Sequence, residues 1–330
     1  MSKSDDSLRS LFKAGISSHP TNPPLTTTTA SLLIALYALV YFVPFYFSRT
    51  ARPSPTLSRD TPSVIRARIG SVTVSCAVCC ATTYLVLTQT GSAPASTSKV
   101  LHLMGIWPPA LADSARAVLL TALLFLGPLY SYLIVDDGWR SWLALEPLRE
   151  LWEEWTVWRN YVAGPITEEI LYRSASIPLM LAAQAPVKET ILLSPFLFGL
   201  SHFHHFYEFR LTHPQVPIAA AVARSLFQLT YTTLFGAYAT FLFVRTGSLP
   251  AVCAVHAFCN AMGLPRLWGR VRRPWEWEES AVGGQRSSSV LWSVGYYVLL
   301  VVGAVSWYRN LWALTQSGNA LISPEAFLSM

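Results

Sequence analysis

The chain has 330 residues, of which 52% are hydrophobic and only 13% charged, and its mean hydropathy is +0.38. A soluble domain carries about 25% charged residues and exposes apolar patches of at most a few hundred Å², so this composition excludes a secreted disulfide scaffold, a disordered protein and an ordinary cytosolic enzyme. A net charge of +6 would suggest nucleic-acid binding in a soluble protein. Here most of the Arg sit in short loops between apolar runs, so the charge reads as membrane topology, with the lipid bilayer and no nucleic acid as partner.

In chain order, residues 1–29 are rich in Ser, Thr and Pro and are expected to form a disordered polar tail. A hydrocarbon core about 30 Å thick needs roughly 20 apolar residues in a helix. Runs 30–47, 69–88, 117–135 and 288–307 meet that length, and 225–244 nearly does. Runs 166–183, 189–206 and 250–263 are shorter or carry polar groups. The first run ends at Ser48-Arg49-Thr50 without a small-residue cleavage site, so it is expected to be a retained helix, not a signal peptide. The five Cys (Cys76, Cys79, Cys80, Cys253 and Cys259) lie within or beside apolar runs with no second CxxC, and read as small apolar helix residues.

The expected fold is therefore all-α: a polytopic membrane protein of about eight transmembrane helices, spanning 30–307, followed by a C-terminal tail at 308–330. With both termini on the non-cytosolic side, loops 49–68, 136–165, 207–224 and 264–287 face the cytosol. They hold 15 Lys and Arg against 7 in the segments on the other side, the direction the positive-inside rule requires.

Polar side chains inside membrane helices are costly and face a cavity or a partner. They gather in the three weakest runs. Pro165-Ile166-Thr167-Glu168-Glu169-Ile170-Leu171-Tyr172-Arg173 reads as a helix start with Pro in its first turn. Glu168 and Tyr172 share one helical face, and Glu169 and Arg173 the next. In Phe196–His205, Phe198 and His202 share a face and His202 is the deepest His, while His204 and His205 approach the helix edge. In Val255–Asn260, His256 and Asn260 again lie one turn apart, and both can donate hydrogen bonds. A carboxylate and a His on adjacent helices can deprotonate a water, and a second His with an Asn can hold a developing oxyanion. No G-x-S-x-G nucleophile motif is present. A Glu and two His also make a known catalytic zinc set, so a metal version stays open, although H-E-x-x-H is missing. A transporter or non-catalytic membrane scaffold would use the same intramembrane groups.

Glu168-Glu169-x-x-x-Arg173, Phe198-x-x-x-His202 and His256-x-x-x-Asn260 resemble, in order, the three motifs of the type II CAAX prenyl endopeptidases, within the ABI family of membrane proteases. Phe125-Leu126-Gly127-Pro128, Tyr231–Tyr238 and Cys259–Pro265 look like the eukaryotic branch, and the similarity runs from about residue 100 to 265. The resemblance implies a protease of the endoplasmic reticulum membrane. It implies an active site toward the cytosol that removes the last three residues of prenylated CaaX proteins, such as small GTPases. By the same resemblance Glu168 and His202 activate the water, and His256 and Asn260 line the oxyanion site. Glu169, Tyr172, Arg173 and Phe198 position the first pair, and no metal or other cofactor takes part. The Arg/Trp/Glu-rich segment 266–279 has no counterpart and no assigned role.

Overall fold

The computed structural model describes residue 23 and residues 25–89, 95–274 and 290–327. Most of the expected polar tail, and residues 275–279 of the Arg/Trp/Glu-rich segment, lie outside them. Among the described residues the chain is helical with no strand, and each of the eight apolar runs forms helix. We number them α1 (Thr27–Phe42), α2 (Pro62–Gln89), α3 (Leu111–Leu124), α4 (Gly164–Glu169), α5 (Ile177–Ala182), α6 (Val187–Ser201), α7 (His204–Thr212), α8 (Ile218–Thr246), α9 (Leu249–Met262) and α10 (Val290–Leu314). Thr27–Phe47, α2 and α10 are long and apolar enough to cross a membrane unaided. Their outward residues are large and apolar, as in Leu32, Val74, Leu291 and Val301, each more than 60% exposed, which suits lipid as the surrounding solvent.

Local chemistry explains the ends and breaks. The Thr26 hydroxyl accepts from Thr29 N–H and caps α1, which therefore starts at Thr27, three residues before the expected run. Ser248 caps α9 in the same way through Ala251 N–H. The run expected as one span at 117–135 is instead bent by 81° between α3 and the segment Leu126–Val135. Pro128 has no N–H for the Leu124 carbonyl one turn earlier, and the helix breaks at Phe125. Nor does Pro165 open its helix. The helical path already runs through Trp155–Trp158 and a π turn at Arg159–Ala163, which relieves the proline's clash with the preceding turn. A second π turn, Ile170–Ala175, follows Glu169, and Thr83 donates to the Ala175 carbonyl at 2.7 Å.

The chain from α4 through α5 is the axis of the molecule. Tyr172, Ala175 and Leu179 pack with Ile34 and Tyr37 of α1, Cys76 and Cys79 of α2, and Phe198 of α6. Ile177 packs into a second cluster with Leu120, Phe243 and Val252. A helix enclosed this way meets protein on all sides and tolerates polar residues that a lipid-facing helix would not. The interval 136–165 is not an open loop but holds the short helices Gly138–Leu143, Glu146–Glu153 and Trp155–Trp158. α10 continues to Leu314, past the expected end at 307, and the following residues fold back, with Leu321 N–H donating to the Val244 carbonyl at 2.8 Å.

The loops sort into two ends. Arg159 pairs with Asp60 at 2.7 Å, Arg68 with Glu208 at 2.7 Å, and Arg273 with Asp137 at 3.5 Å. These contacts join the four segments grouped on one side by their Arg content. At the other end Leu249 N–H donates to the Gly105 carbonyl at 2.8 Å, and Ser248 bonds the Pro109 carbonyl at 3.0 Å.

Candidate active site

The site forms where α4, α6, α8 and α9 meet. Glu169 is fully buried and Arg173 nearly so. The Arg173 guanidinium donates from Nη1 to Glu169 Oε1 at 2.9 Å and from Nη2 to the Gly236 carbonyl of α8 at 3.0 Å. Its plane packs by the rings of Phe198 and Phe235, 5.0 and 5.8 Å from their centres. Glu169 Oε1 also takes His256 Nδ1 at 2.7 Å. A buried charge is tolerated when it is paired and hydrogen-bonded, and here one carboxylate oxygen ties the π turn after α4 to α9.

That bond sets the role of His256. A ring that donates from Nδ1 to Glu169 presents Nε2 on its other side, and Nε2 lies 3.8 Å from Glu168 Oε2. Glu169 thus holds His256, while Arg173 pairs with the same carboxylate oxygen and packs on Phe198, the ring beside His202; the motif resemblance assigned both residues to Glu168 and His202. Glu168 is only partly buried and faces a cavity of about 960 Å³ that His202, His256 and Asn260 also line.

His202 does not sit inside a continuous helix. α6 ends at Ser201, His202 is its C-terminal cap, and α7 starts two residues later. The ring nitrogen Nδ1 lies 2.9 Å from the Phe198 carbonyl. In the neutral ring Nδ1–H donates there and Nε2 is left as an acceptor. Phe198 supports this ring edge-on, with centres 4.7 Å apart. Tyr172 packs on Phe198 in turn, and its hydroxyl is buried without a hydrogen-bond partner. It borders a second, small cavity of about 30 Å³ shared with Glu168 and His202, enough for about one water. Tyr172 and Glu168 therefore meet across a water-sized space.

Asn260 is exposed on the cavity wall and donates from Nδ2 to the Asn160 carbonyl at 2.9 Å. His204 Nδ1 bonds the Ser201 carbonyl at 2.6 Å and its ring stacks on Phe42. His205 does reach the cavity, but it belongs to a charged cluster with Arg59, Arg68 and Glu208. Burial would raise Glu208, but hydrogen bonds from His205 and Arg68 and the charges of Arg68 and Arg59 outweigh it and hold the carboxyl well below its usual range. Among the described residues no three His, Cys, Asp or Glu side chains come close enough to share one metal ion.

The motif reading missed Arg59, Asn160, Arg224 and Gln228, all on the cavity wall. Arg224, Gln228, Tyr231 and Phe235 recur every three to four residues on α8, and that spacing was the available signal. Asn160 contributes a backbone carbonyl, which no side-chain pattern announces.

A family model described as Type II CAAX prenyl endopeptidase Rce1-like matches residues 150–262, the interval holding all three polar clusters. The chain is 35% identical over 288 residues to the Probable CAAX prenyl protease 2 of Schizosaccharomyces pombe, covering 87% of this chain and 94% of that one. It is 33% identical over 264 residues to the CAAX prenyl protease 2 of Arabidopsis thaliana, covering 74% and 81%. The human CAAX prenyl protease 2 is 35% identical over 226 residues, covering 66% and 67%. No solved structure matches the chain. Similarity on this scale sets the transporter and scaffold readings aside: the chain is a multi-pass membrane protease belonging to the type II CAAX prenyl endopeptidase family.

Proposed function

We propose that the protein removes the last three residues of prenylated CaaX proteins, small GTPases among them, by attack of an activated water on the carbonyl of the prenylated Cys. The observation that carries this reading is the single cavity lined by Glu168, His202, His256 and Asn260, with His256 held by Glu169 at 2.7 Å. Glu168 takes a proton from the water, with His202 Nε2 as the second acceptor. The resulting hydroxide attacks the carbonyl carbon, and the negative charge passes to the carbonyl oxygen. That oxygen receives hydrogen bonds from Asn260, whose second N–H is not used by Asn160, and from His256 Nε2 when the ring is doubly protonated, with Glu169 as its counter-charge. The C–N bond then breaks, and the leaving amine takes the proton from Glu168. No metal is required, because each nitrogen and carboxylate oxygen named has a role without one.

The prenyl chain fits the apolar part of the cavity, where Leu124, Phe125, Leu234, Tyr238 and Trp307 line the wall. Each buried CH₂ contributes about 0.8 kcal/mol, so the lipid anchors the scissile bond near the membrane surface. This reading places the protein in the endoplasmic reticulum membrane with its Arg-rich end, and so the polar side of the cavity, toward the cytosol. The test is a farnesylated CaaX peptide incubated with purified protein and followed by mass spectrometry. The expected product lacks three residues and is absent with Glu168→Ala. An uncut peptide with wild-type protein would sink the proposal.

A further inference from the structure

Among the described residues, two arginines line the cavity, Arg59 and Arg224. Arg59 is already neutralised, 3.6 Å from Glu208 and 4.0 Å from Asp60. Arg224 is exposed, and among the described residues no carboxylate lies within ion-pair reach of it. Its guanidinium instead lies over the Phe209 ring, 4.6 Å from the centre. Stacking of this kind holds the guanidinium plane and leaves its edge N–H groups free for an anion. An uncompensated, pre-oriented cation on the wall of a protease cavity calls for a negative group on the substrate.

We propose that Arg224 binds the free C-terminal carboxylate of the substrate, so that the substrate lies along α8 with its carboxylate end at Arg224 and its prenylated end at Tyr238. This rests on the CaaX endopeptidase reading above, which requires a carboxylate three residues beyond the cut. The register of α8 supports it. Arg224, Gln228, Tyr231, Phe235 and Tyr238 fall on one helical face and all line the cavity. Phe235 marks the catalytic level, since its ring lies 4.5 Å from that of His256. Tyr231, one turn before it, also lines the cavity. Eleven residues of helix separate Phe235 from Arg224, a rise of about 16 Å. An extended tripeptide covers about 10 Å of this, at roughly 3.3 Å per residue, and the long Arg224 side chain is left to span the remainder. On the other side of Phe235 the wall turns apolar, and Tyr238 packs on Trp307 with ring centres 5.8 Å apart. The reverse orientation would set a carboxylate against Leu124, Phe125 and Trp307, where nothing compensates its charge. A membrane phosphate is the other anion that an exposed Arg near the bilayer surface could meet, and the experiment separates the two.

Steady-state cleavage is measured for two farnesylated CaaX peptides that differ only in ending as a free acid or a carboxamide. The full-length protein is used in detergent and in vesicles with and without phosphatidylserine. Wild-type protein is expected to prefer the acid through KM by about tenfold, the factor that corresponds to 1.4 kcal/mol. Arg224→Gln should raise KM for the acid by about that factor, leave kcat within about twofold and leave the amide unchanged, so that the acid preference disappears. Arg224→Lys, which keeps the charge, should restore part of the preference. Equal treatment of acid and amide by wild type, or an unchanged preference in Arg224→Gln, overturns the assignment. So does a loss that is the same for both peptides and follows phosphatidylserine, which makes Arg224 a lipid contact. If wild type cuts neither peptide, the underlying endopeptidase reading fails with it, whereas efficient cutting of both alike removes only the role of Arg224.

Discussion

His202 and His204 are two positions apart, yet they do different work because their rings have different surroundings. His202 gives Nδ1 to the Phe198 carbonyl and presents Nε2 to the cavity. His204 bonds the Ser201 carbonyl and stacks on Phe42, away from the large cavity. His202→Ala is expected to abolish peptide cleavage at unchanged protein abundance, while His204→Ala keeps measurable activity; equal loss in both would refute this division. The same residue geometry bears on metal dependence. His256 uses Nδ1 in a 2.7 Å hydrogen bond to Glu169, and its Nε2 lies 3.8 Å from Glu168, an ion-pair separation too long for a hydrogen bond. Purified protein should keep its activity after prolonged chelation and contain far less than one zinc per chain. Inactivation by chelator that zinc reverses would replace the water-only mechanism with a metal-assisted one.

Helices α6 and α8 form the most extensive helix pair, and glycines at the contact set how close they come. A Cβ at Gly236 would lie 2.8 Å from Pro195 Cβ and 3.2 Å from a ring carbon of Phe198. At Gly199 it would clash with the Thr233 hydroxyl oxygen. Small residues let membrane helices approach closely, and here the approach also delivers the Gly236 carbonyl to Arg173 at 3.0 Å. Gly236→Ala must push α8 away from α6 or distort Phe198, an overpacking cost of about 1–3 kcal/mol. The expected readout is a lower midpoint of thermal unfolding in detergent together with reduced kcat, since Phe198 supports His202. A variant with wild-type midpoint and activity would show that this contact yields without consequence.

Across the whole molecule, the Arg-bearing loops meet at one end, and the contacts among Asp60, Arg159, Asn160 and Asn260 place the polar mouth of the cavity there. If that end faces the cytosol, a glycosylation acceptor inserted between α1 and α2 stays unmodified, while one inserted in the turn between α5 and α6 receives a glycan in microsomes. The opposite pattern would invert the molecule. Much of this was legible in the sequence. The apolar runs specify helices because every backbone group in lipid must be bonded within its own segment. Polar residues in runs too weak to be lipid-facing marked α4, α6 and α9 as the buried, chemical part. Motif spacing alone put Glu168, His202, His256 and Asn260 on helix faces that could converge. The tertiary structure decided which partner each received. It gave Glu169 to His256, turned the deepest His of a presumed helix into the cap of a shorter one, and brought an Arg from the start of α8 onto the cavity wall. Those outcomes depend on helix crossings and breaks, which are set by packing between segments far apart in the chain, and spacing within one segment carries no information about them.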